Sequence, residues 1–299
     1  MRLRPLVFAI GFLMLFAGPC FAEPTMATIQ VGGQQRSYVL ALPQASGPQP
    51  TLIFLHGTGA DGVKAARTSG LDELGPRLGF VTVLPSAVDR VWNLFPNGEA
   101  QSLVAERRGG EAALGDDFAL IKALVADLVR RGISDPQRMY LAGISYGGFM
   151  TLRMACSGTD LFAGIGIIYS SMPDPGSQSC RPAKPLPLIV IDGTADRVVP
   201  YAGGPTPAGF SVWGADRTLA LFRKFDGCGD AVQQTKLPHL DGPPGTSVVL
   251  QRWTQCSAAP VVNYQIIGGG HGVHGDLTGD FNAYGALVTF LRDQKPKSQ

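Results

Sequence analysis

The sequence has few of the residues that metal, redox and nucleic-acid proteins rely on. It contains five Cys and four His among 299 residues, and only 16% of its residues are charged. Cys-x-x-Cys does not occur, which argues against redox catalysis and thiolate zinc sites. The formal net charge is +2 with no basic run, so neither nucleic acid nor an anionic membrane surface is indicated as a partner. No cofactor or metal is expected.

The chain also lacks an apolar run long enough to cross a membrane. Its longest one, residues 6–17, follows the basic start Met1-Arg-Leu-Arg4 and precedes Ala22. A bilayer span needs about 20 apolar residues, so this pattern predicts a signal peptide over residues 1–22 rather than an anchor. We therefore expect a secreted protein, periplasmic or extracellular, with residues 23–299 forming one domain. The oligomeric state stays open.

Removal of residues 1–22 would take away Cys20 and leave Cys156, Cys180, Cys228 and Cys256. An even number of cysteines in an exported protein predicts two disulfides. Three connectivities are possible. We favour Cys156 with Cys180 and Cys228 with Cys256, because each pair would close one local segment that connects predicted core elements.

Apolar runs of strand length alternate with helix-like segments along the chain. The runs are residues 51–55, 80–84, 139–142, 164–169, 186–191 and 261–267, and helices are expected over 71–78, 116–131 and 281–291. Continuous apolar strands are typical of a parallel sheet that is buried on both faces, and the alternation predicts an α/β fold with helices on both faces. Residues 28–31 and 36–42 indicate an N-terminal hairpin. The stretch 201–255, rich in Pro, Gly and Asp, breaks the rhythm and is interpreted as an insertion beside the functional site.

Ser145 stands between the strand-like run 139–142 and a helix-like one, inside Gly143-Ile144-Ser145-Tyr146-Gly147. A sharp turn from strand to helix strains its central residue and crowds the positions two before and two after it, so these positions tolerate only very small side chains. The pattern alone is weak in a chain with 39 Gly. With its strand and helix context, it predicts that Ser145 is an exposed nucleophile.

A serine hydroxyl requires a general base and an acid that orients the base. His271, in Gly268-Gly-Gly-His-Gly272 after the last strand, is the predicted base. His274 is the rival, and it is expected instead to line the substrate pocket. The spacing of these two histidines is compatible with metal binding, but no third ligand with suitable spacing follows.

The predicted acid is Asp196, on the loop after strand 186–191. Active sites of parallel sheets lie at the carboxyl ends of the strands, where this loop begins. Asp192, closer to the strand, is the alternative, and it is expected instead to accept hydrogen bonds from loop amides.

The oxyanion of an acyl-transfer reaction requires two N–H donors. We expect the main-chain N–H of Tyr146, directly after the nucleophile, and that of Thr58, in the loop after strand 51–55.

Two other features have both a functional and a structural interpretation. Asp116-Asp117 is expected to cap a helix rather than to form a catalytic pair. Trp92 is a candidate substrate-binding residue, with core packing as the alternative.

Together these segments resemble the secreted esterase family of α/β-hydrolases that includes polyhydroxybutyrate depolymerases and feruloyl esterases. The resemblance spans residues 36–275 and rests on the Leu55-His56-Gly57 loop, the Asp116-Asp117 helix start, and residues 135–138, 143–148, 160–162, 193–196, 199–204 and 268–271. It implies the α/β-hydrolase fold and ester hydrolysis, with Ser145, Asp196 and His271 as the catalytic residues. Tyr146, Asp192 and residues 272–274 depart from the family pattern, which affects the substrate pocket.

The resulting hypothesis is a secreted serine carboxylesterase that works through a covalent acyl-enzyme. Its expected partner is an ester: a polyhydroxyalkanoate chain, a feruloylated or acetylated polysaccharide, or a small aryl ester. One alternative is a serine peptidase of the prolyl oligopeptidase type, which has a similar nucleophile segment. It is disfavoured by the gap of 75 residues between Asp196 and His271 and by the lack of a propeller domain. Another is a non-catalytic secreted binding module on the same fold.

Overall fold

A computed structural model describes residues 23–95, 115–174, 177–239, 244–272 and 281–296. Its strands are β1 Thr25–Val31, β2 Gln34–Ala41, β3 Gln49–Leu55, β4 Val81–Pro85, β5 Ser134–Ile144, β6 Gly164–Ile168, β7 Leu188–Gly193, β8 Gly204–Pro205, β9 Ser211–Val212, β10 Gln233–Lys236, β11 Ser247–Trp253 and β12 Val261–Ile267. Its helices are α1 Gly62–Ser69, α2 Leu71–Arg77, α3 Asp117–Arg130, α4 Tyr146–Ala155, α5 Ala215–Phe225 and α6 Ala283–Arg292, with a 3₁₀ turn at Val88–Arg90.

Ten strands form one sheet in the order β1-β2-β4-β3-β5-β6-β7-β12-β11-β10. The strands from β4 to β12 in this order are parallel, and antiparallel strands extend both edges. Side chains alternate between the two faces: Ile53 and Leu55 of β3 pack with α3, α4 and α5, whereas Leu52 and Phe54 pack with α1, α2 and α6. The predicted mostly parallel sheet with helices on both faces is confirmed.

The stretch 201–255 is more integral to the fold than the sequence suggested. Its helix α5 connects β7 with β12, and since these neighbours are parallel, a crossover of this kind is required between them. Its strand β11 pairs with β12 along seven residues. Among the described residues of the stretch, 206–208 alone line the candidate site described below. The interpretation as an insertion beside the site is therefore correct for residues 206–208. Helix α5 is part of the crossover between two strands of the main sheet, and strands β10 and β11 form one edge of that sheet.

Both predicted disulfides are present. Cys156 and Cys180 connect the end of α4 with the segment before β7. Cys228 and Cys256 connect the end of α5 with the turn between β11 and β12. The sequential pairing is therefore confirmed. Among the described residues, no helix has the combination of length and hydropathy that spanning a membrane requires.

The adjacent acids at the start of α3 have different roles. Asp116 caps the helix, since its Oδ1 accepts a hydrogen bond of 2.8 Å from the Ala119 N–H, as predicted. Asp117 forms a buried ion pair with Arg36 of β2 and also accepts from the Asn93 N–H at 2.6 Å. Burial raises the pKa of Asp117, and the guanidinium of Arg36 opposes that shift. This pair fixes α3 and the segment around Asn93 to the sheet.

Candidate active site

Ser145 occupies a strained turn at the carboxyl end of β5, in the middle of the sheet. Its backbone dihedrals are φ 52° and ψ −120°, a conformation that non-glycine residues rarely adopt. The chain turns here directly into α4, and the Ser145 N–H donates to the Ile168 carbonyl of β6 at 2.8 Å. The neighbouring strand thus holds the turn in place, and the Ser145 side chain lines a cavity.

The flanking glycines are required by close contacts. A Cβ atom at Gly143 would overlap the carbonyl group of Gly147, and one at Gly147 would overlap the carbonyl oxygen of Leu55. In this way α4 can begin directly against the ends of β3 and β5. This is the steric reason for the Gly143 to Gly147 pattern.

Asp196, His271 and Ser145 form a continuous hydrogen-bonded series. His271 Nδ1 lies 2.7 Å from Asp196 Oδ2, and His271 Nε2 lies 3.0 Å from Ser145 Oγ. The Asp196 side chain is 2% exposed and that of His271 is 20% exposed. The structure therefore brings together the three residues that the sequence assigned to catalysis.

The loops that carry Asp196 and His271 support each other. They follow β7 and β12, which are neighbours in the parallel sheet, so both emerge at its carboxyl edge. The Ala195 N–H donates to the Gly269 carbonyl at 2.8 Å, and the Gly268 N–H donates to Thr194 Oγ1 at 2.9 Å. These hydrogen bonds fix the position of the imidazole relative to the carboxylate.

The two residues predicted to stabilise an oxyanion both line the cavity with Ser145. Tyr146 is the first residue of α4, where main-chain N–H groups have no partner within the helix. Thr58 follows β3 in the loop whose Gly57 lies directly beside Ser145, since a Cβ at Gly57 would be 3.4 Å from the Ser145 Cβ. This placement is compatible with the predicted donor roles.

His56 is a structural residue that sequence reasoning left without a role. Its Nδ1 donates to the Gly57 carbonyl at 2.8 Å, and its Nε2 accepts from the Ala87 N–H at 3.1 Å. Burial lowers the pKa of His56, which favours the neutral ring that this bonding pattern requires. The ring fixes the start of the Thr58 loop.

Trp92 does not line the cavity, and its assignment as a substrate-binding residue is wrong for this structure. Its side chain is 1% exposed, and its Nε1 donates to the His56 carbonyl at 2.7 Å. An indole ring with its N–H bonded inside the protein supports the loop and is not accessible to a ligand. His274, the other predicted substrate-binding residue, lies outside the described residues.

The cavity at Ser145 has a volume of about 540 Å³ and mostly apolar walls. One part of the wall comes from α1 and α6 and another from α4 and the segment after β7. The lining residues that the sequence did not single out include Lys64, Thr68, Phe149, Tyr169, Thr206, Ala208 and Tyr284. They are separated along the chain and carry no shared motif, which is why sequence reasoning missed them.

Asp192 is not the partner of the imidazole. Its Oδ1 accepts from the Ser170 N–H at 3.3 Å, as expected for the alternative in which it bonds to a loop amide. Burial raises the pKa of Asp192 to about 8, and the nearby charge of Asp196 acts in the same direction. Within the described parts of the chain, no group of three or more His, Cys, Asp or Glu side chains is arranged to hold a metal ion.

A family model described as Phospholipase/Carboxylesterase matches residues 41–211, which include Ser145 and Asp196. This chain belongs to that family. The putative esterase NocK of Nocardia uniformis subsp. tsuyamanensis is 30% identical over 84% of this chain and 74% of its own length. Poly(3-hydroxyalkanoate) depolymerase C of Paucimonas lemoignei is 26% identical over 82% of this chain and 60% of its own length, so the chain spans less than two thirds of that relative.

The fold is that of the α/β-hydrolases, as the sequence predicted. The solved structure of acetyl xylan esterase from Aspergillus awamori superposes with a TM-score of 0.54 at 15% identity, covering 87% of this chain and 99% of the other. The match to the family model and the esterase relatives identify the chain as a carboxylic-ester hydrolase. The resemblance seen in the sequence motifs is confirmed.

Proposed function

We propose that this hydrolase is a serine esterase that works through a covalent acyl-enzyme. Ser145 Oγ attacks the carbonyl carbon of the ester while His271 Nε2 accepts the hydroxyl proton. His271 then gives this proton to the leaving alcohol. Water attacks the acyl-enzyme in the same way and releases the acid and free Ser145. The observation that carries the proposal is the series of hydrogen bonds from Asp196 through His271 to Ser145.

Asp196 is suited to stabilise the imidazolium that forms in this cycle. Its Oδ1 accepts from the N–H groups of Val198 and Val199, each at 2.8 Å, which leaves Oδ2 directed at His271. Three hydrogen-bond donors therefore surround this buried carboxyl group and fix its orientation. The negative charge and the fixed geometry hold the imidazole with Nε2 directed at Ser145.

The main-chain N–H groups of Tyr146 and Thr58 serve as oxyanion donors in this proposal. Both residues lie beside Ser145 on rigid elements, the start of α4 and the loop held by His56 and Trp92. Donors placed in advance are worth about 3 kcal/mol each in the transition state.

The substrates in this proposal are esters with an apolar acyl or alcohol part, because the cavity walls are mostly apolar. The depolymerase relative makes short polyhydroxyalkanoate chains one candidate. Feruloylated or acetylated polysaccharide and small aryl esters are the others. The two disulfides are compatible with export through the signal peptide proposed over residues 1–22.

Hydrolysis of p-nitrophenyl butyrate and labelling by a fluorophosphonate test the mechanism. Ser145→Ala is expected to abolish labelling and to reduce kcat by at least about a thousandfold. Ser157→Ala is the matched control, since this exposed hydroxyl bonds only to the Met154 carbonyl at the end of α4. Undiminished hydrolysis or labelling in Ser145→Ala would refute the proposed mechanism. Comparison of polyhydroxybutyrate, methyl ferulate and acetylated xylan then identifies the substrate class, and preference for an aminoacyl-prolyl anilide would indicate a peptidase instead.

A further inference from the structure

Asp196, a member of the proposed catalytic series, and Asp192 are four residues apart at the end of β7 and have different surroundings. Asp196 accepts from two main-chain N–H groups and contacts His271. Asp192 is 6% exposed and accepts from the Ser170 N–H alone, at 3.3 Å. Its Oδ2 is buried and has no hydrogen-bond partner within the described residues.

This asymmetry affects the ionisation of Asp192. Burial disfavours the Asp192 anion, the charge of Asp196 acts in the same direction, and the one long hydrogen bond from Ser170 compensates little. Tyr201 is also close enough for the charge of Asp192 to raise its pKa, but burial is the main cause and raises it to about 12, so Tyr201 is neutral. Across the sheet, β12 places the uncharged Gln265 opposite Asp192. Among the described residues, no cation contributes to the pKa shift of Asp192.

Asp192 is connected to Ser145 and His271 through the residues that follow β6. Its bond to the Ser170 N–H ties the end of β7 to the end of β6. Ser170 packs so closely on Gly148 of α4 that a Cβ there would overlap its side chain. The preceding residue, Tyr169, has a positive φ of 49°, and its ring centroid lies 5.8 Å from that of His271. Movement of Ser170 would therefore displace the helix after Ser145 and the ring beside His271.

We propose that Asp192 is a positioning residue that is protonated when the enzyme is active, and that its ionisation at alkaline pH disables the site. A charged Asp192 carboxylate requires more hydrogen-bond donors than the Ser170 N–H. To obtain them, the ends of β6 and β7 must shift, which moves Tyr169 and Asp196 away from His271. This inference rests on the proposed serine mechanism and adds that the activity depends on the ionisation of Asp192.

The pH profile of kcat/KM tests this role, because it reports the ionisations of the free enzyme. With ethyl butyrate in a pH-stat, kcat/KM of the wild type is expected to fall about tenfold per pH unit above pH 8. This slope is the one expected when loss of a single proton inactivates the enzyme. Asp192→Asn keeps an acceptor for Ser170 but does not ionise, so its kcat/KM is expected to stay constant within about twofold from pH 8 to 10.

Asp226→Asn is the matched control. Asp226 is also fully buried, and burial raises its pKa to about 7, but it lies at the end of α5 and bonds to the Leu186 N–H. This variant is expected to keep the alkaline loss of the wild type. An alkaline loss that persists in Asp192→Asn, or disappears equally in Asp226→Asn, would refute the role of Asp192. A purely structural role predicts the same reduction at every pH.

A spectroscopic measurement avoids dependence on activity and on the folding of the variant. In wild-type protein with ¹³C-labelled aspartate carboxyls, one resonance is expected to titrate near pH 8, above all the others. Absence of any aspartate that titrates above pH 7.5 would overturn the proposal even if Asp192→Asn does not fold. Failure of the serine mechanism is recognised separately, by hydrolysis that persists in Ser145→Ala.

Discussion

Trp92 Nε1 donates a hydrogen bond of 2.7 Å to the main-chain carbonyl of His56, and the two rings lie 4.7 Å apart. Trp92, which the sequence proposed as a substrate contact, thus supports the loop that carries Thr58. His56 Nδ1 donates to the Gly57 carbonyl in the same loop. Buried side chains therefore determine the position of the proposed oxyanion donor.

Replacement of Trp92 by Phe should weaken catalysis more than substrate binding. Loss of the indole N–H leaves the buried His56 carbonyl without this donor, at a cost of about 1 to 3 kcal/mol in the free energy of unfolding. The loosened loop should lower kcat severalfold with little change in KM. Denaturant unfolding and steady-state kinetics with p-nitrophenyl butyrate check both effects. A raised KM at constant kcat would instead indicate that Trp92 contacts the substrate.

Gly143→Ala should remove activity and destabilise the protein. The added methyl group overlaps the Gly147 carbonyl, so α4 cannot begin in its present position and Ser145 is displaced. Gly229→Ala is the control, because this exposed glycine has open space around its Cβ position and needs no positive φ. Fluorophosphonate labelling and thermal unfolding distinguish the two variants. Normal labelling of Gly143→Ala would contradict the steric argument.

Lys64 should favour esters that carry a free carboxylate. Within the described lining of the cavity it is the only Lys or Arg, and no Asp or Glu is present. Lys64→Gln is expected to raise KM about two- to fivefold for the mono-p-nitrophenyl ester of glutarate, the range of an exposed ion pair. KM for p-nitrophenyl butyrate should stay constant. Lys122→Gln, an exposed site on α3, is the control and should change neither value.

Asp226 should make the protein less stable as the pH rises. Burial raises its pKa to about 7, above the unfolded value, so its stabilising contribution is complete below about pH 4 and is lost as the pH rises through 7. Relative to wild type, Asp226→Asn should therefore gain about 2 to 3 kcal/mol in the free energy of unfolding between pH 5 and pH 8. Urea unfolding at both pH values measures this gain. An equal difference at both pH values would show that Asp226 does not titrate in this range.

Removal of one disulfide by Cys228→Ser and Cys256→Ser together should lower the free energy of unfolding by about 3 kcal/mol, since this bond closes a loop with a sequence separation of 28. The described residues of this loop do not line the cavity at Ser145, so kcat at a temperature well below the melting transition should remain at the wild-type value. The melting temperature and kcat, measured on the same preparation, check the two expectations. A lowered kcat in the folded double variant would mean that the loop influences the site.

The sequence by itself determined the elements that depend on local pattern. Apolar runs gave the parallel strands, and the spacing of Gly143 and Gly147 gave the turn at Ser145, because backbone sterics and side-chain periodicity act over a few residues. The loops of Asp196 and His271 could be assigned for the same reason, since each directly follows a recognisable strand. The edge strands β10 and β11 were missed because their polar residues are exposed or half-buried and lack the continuous apolar pattern.

Only the tertiary structure decided what each of these side chains faces. It buried Trp92 under the Thr58 loop, gave Asp196 three hydrogen-bond donors and left Asp192 with one. It also assembled the cavity walls from α1, α4, α6 and the segment after β7. Burial, desolvation and the number of donors around a carboxyl group arise from contacts between segments distant along the chain. Local sequence therefore specifies which residues stand at the ends of the strands, and packing sets their exposure and their hydrogen bonds.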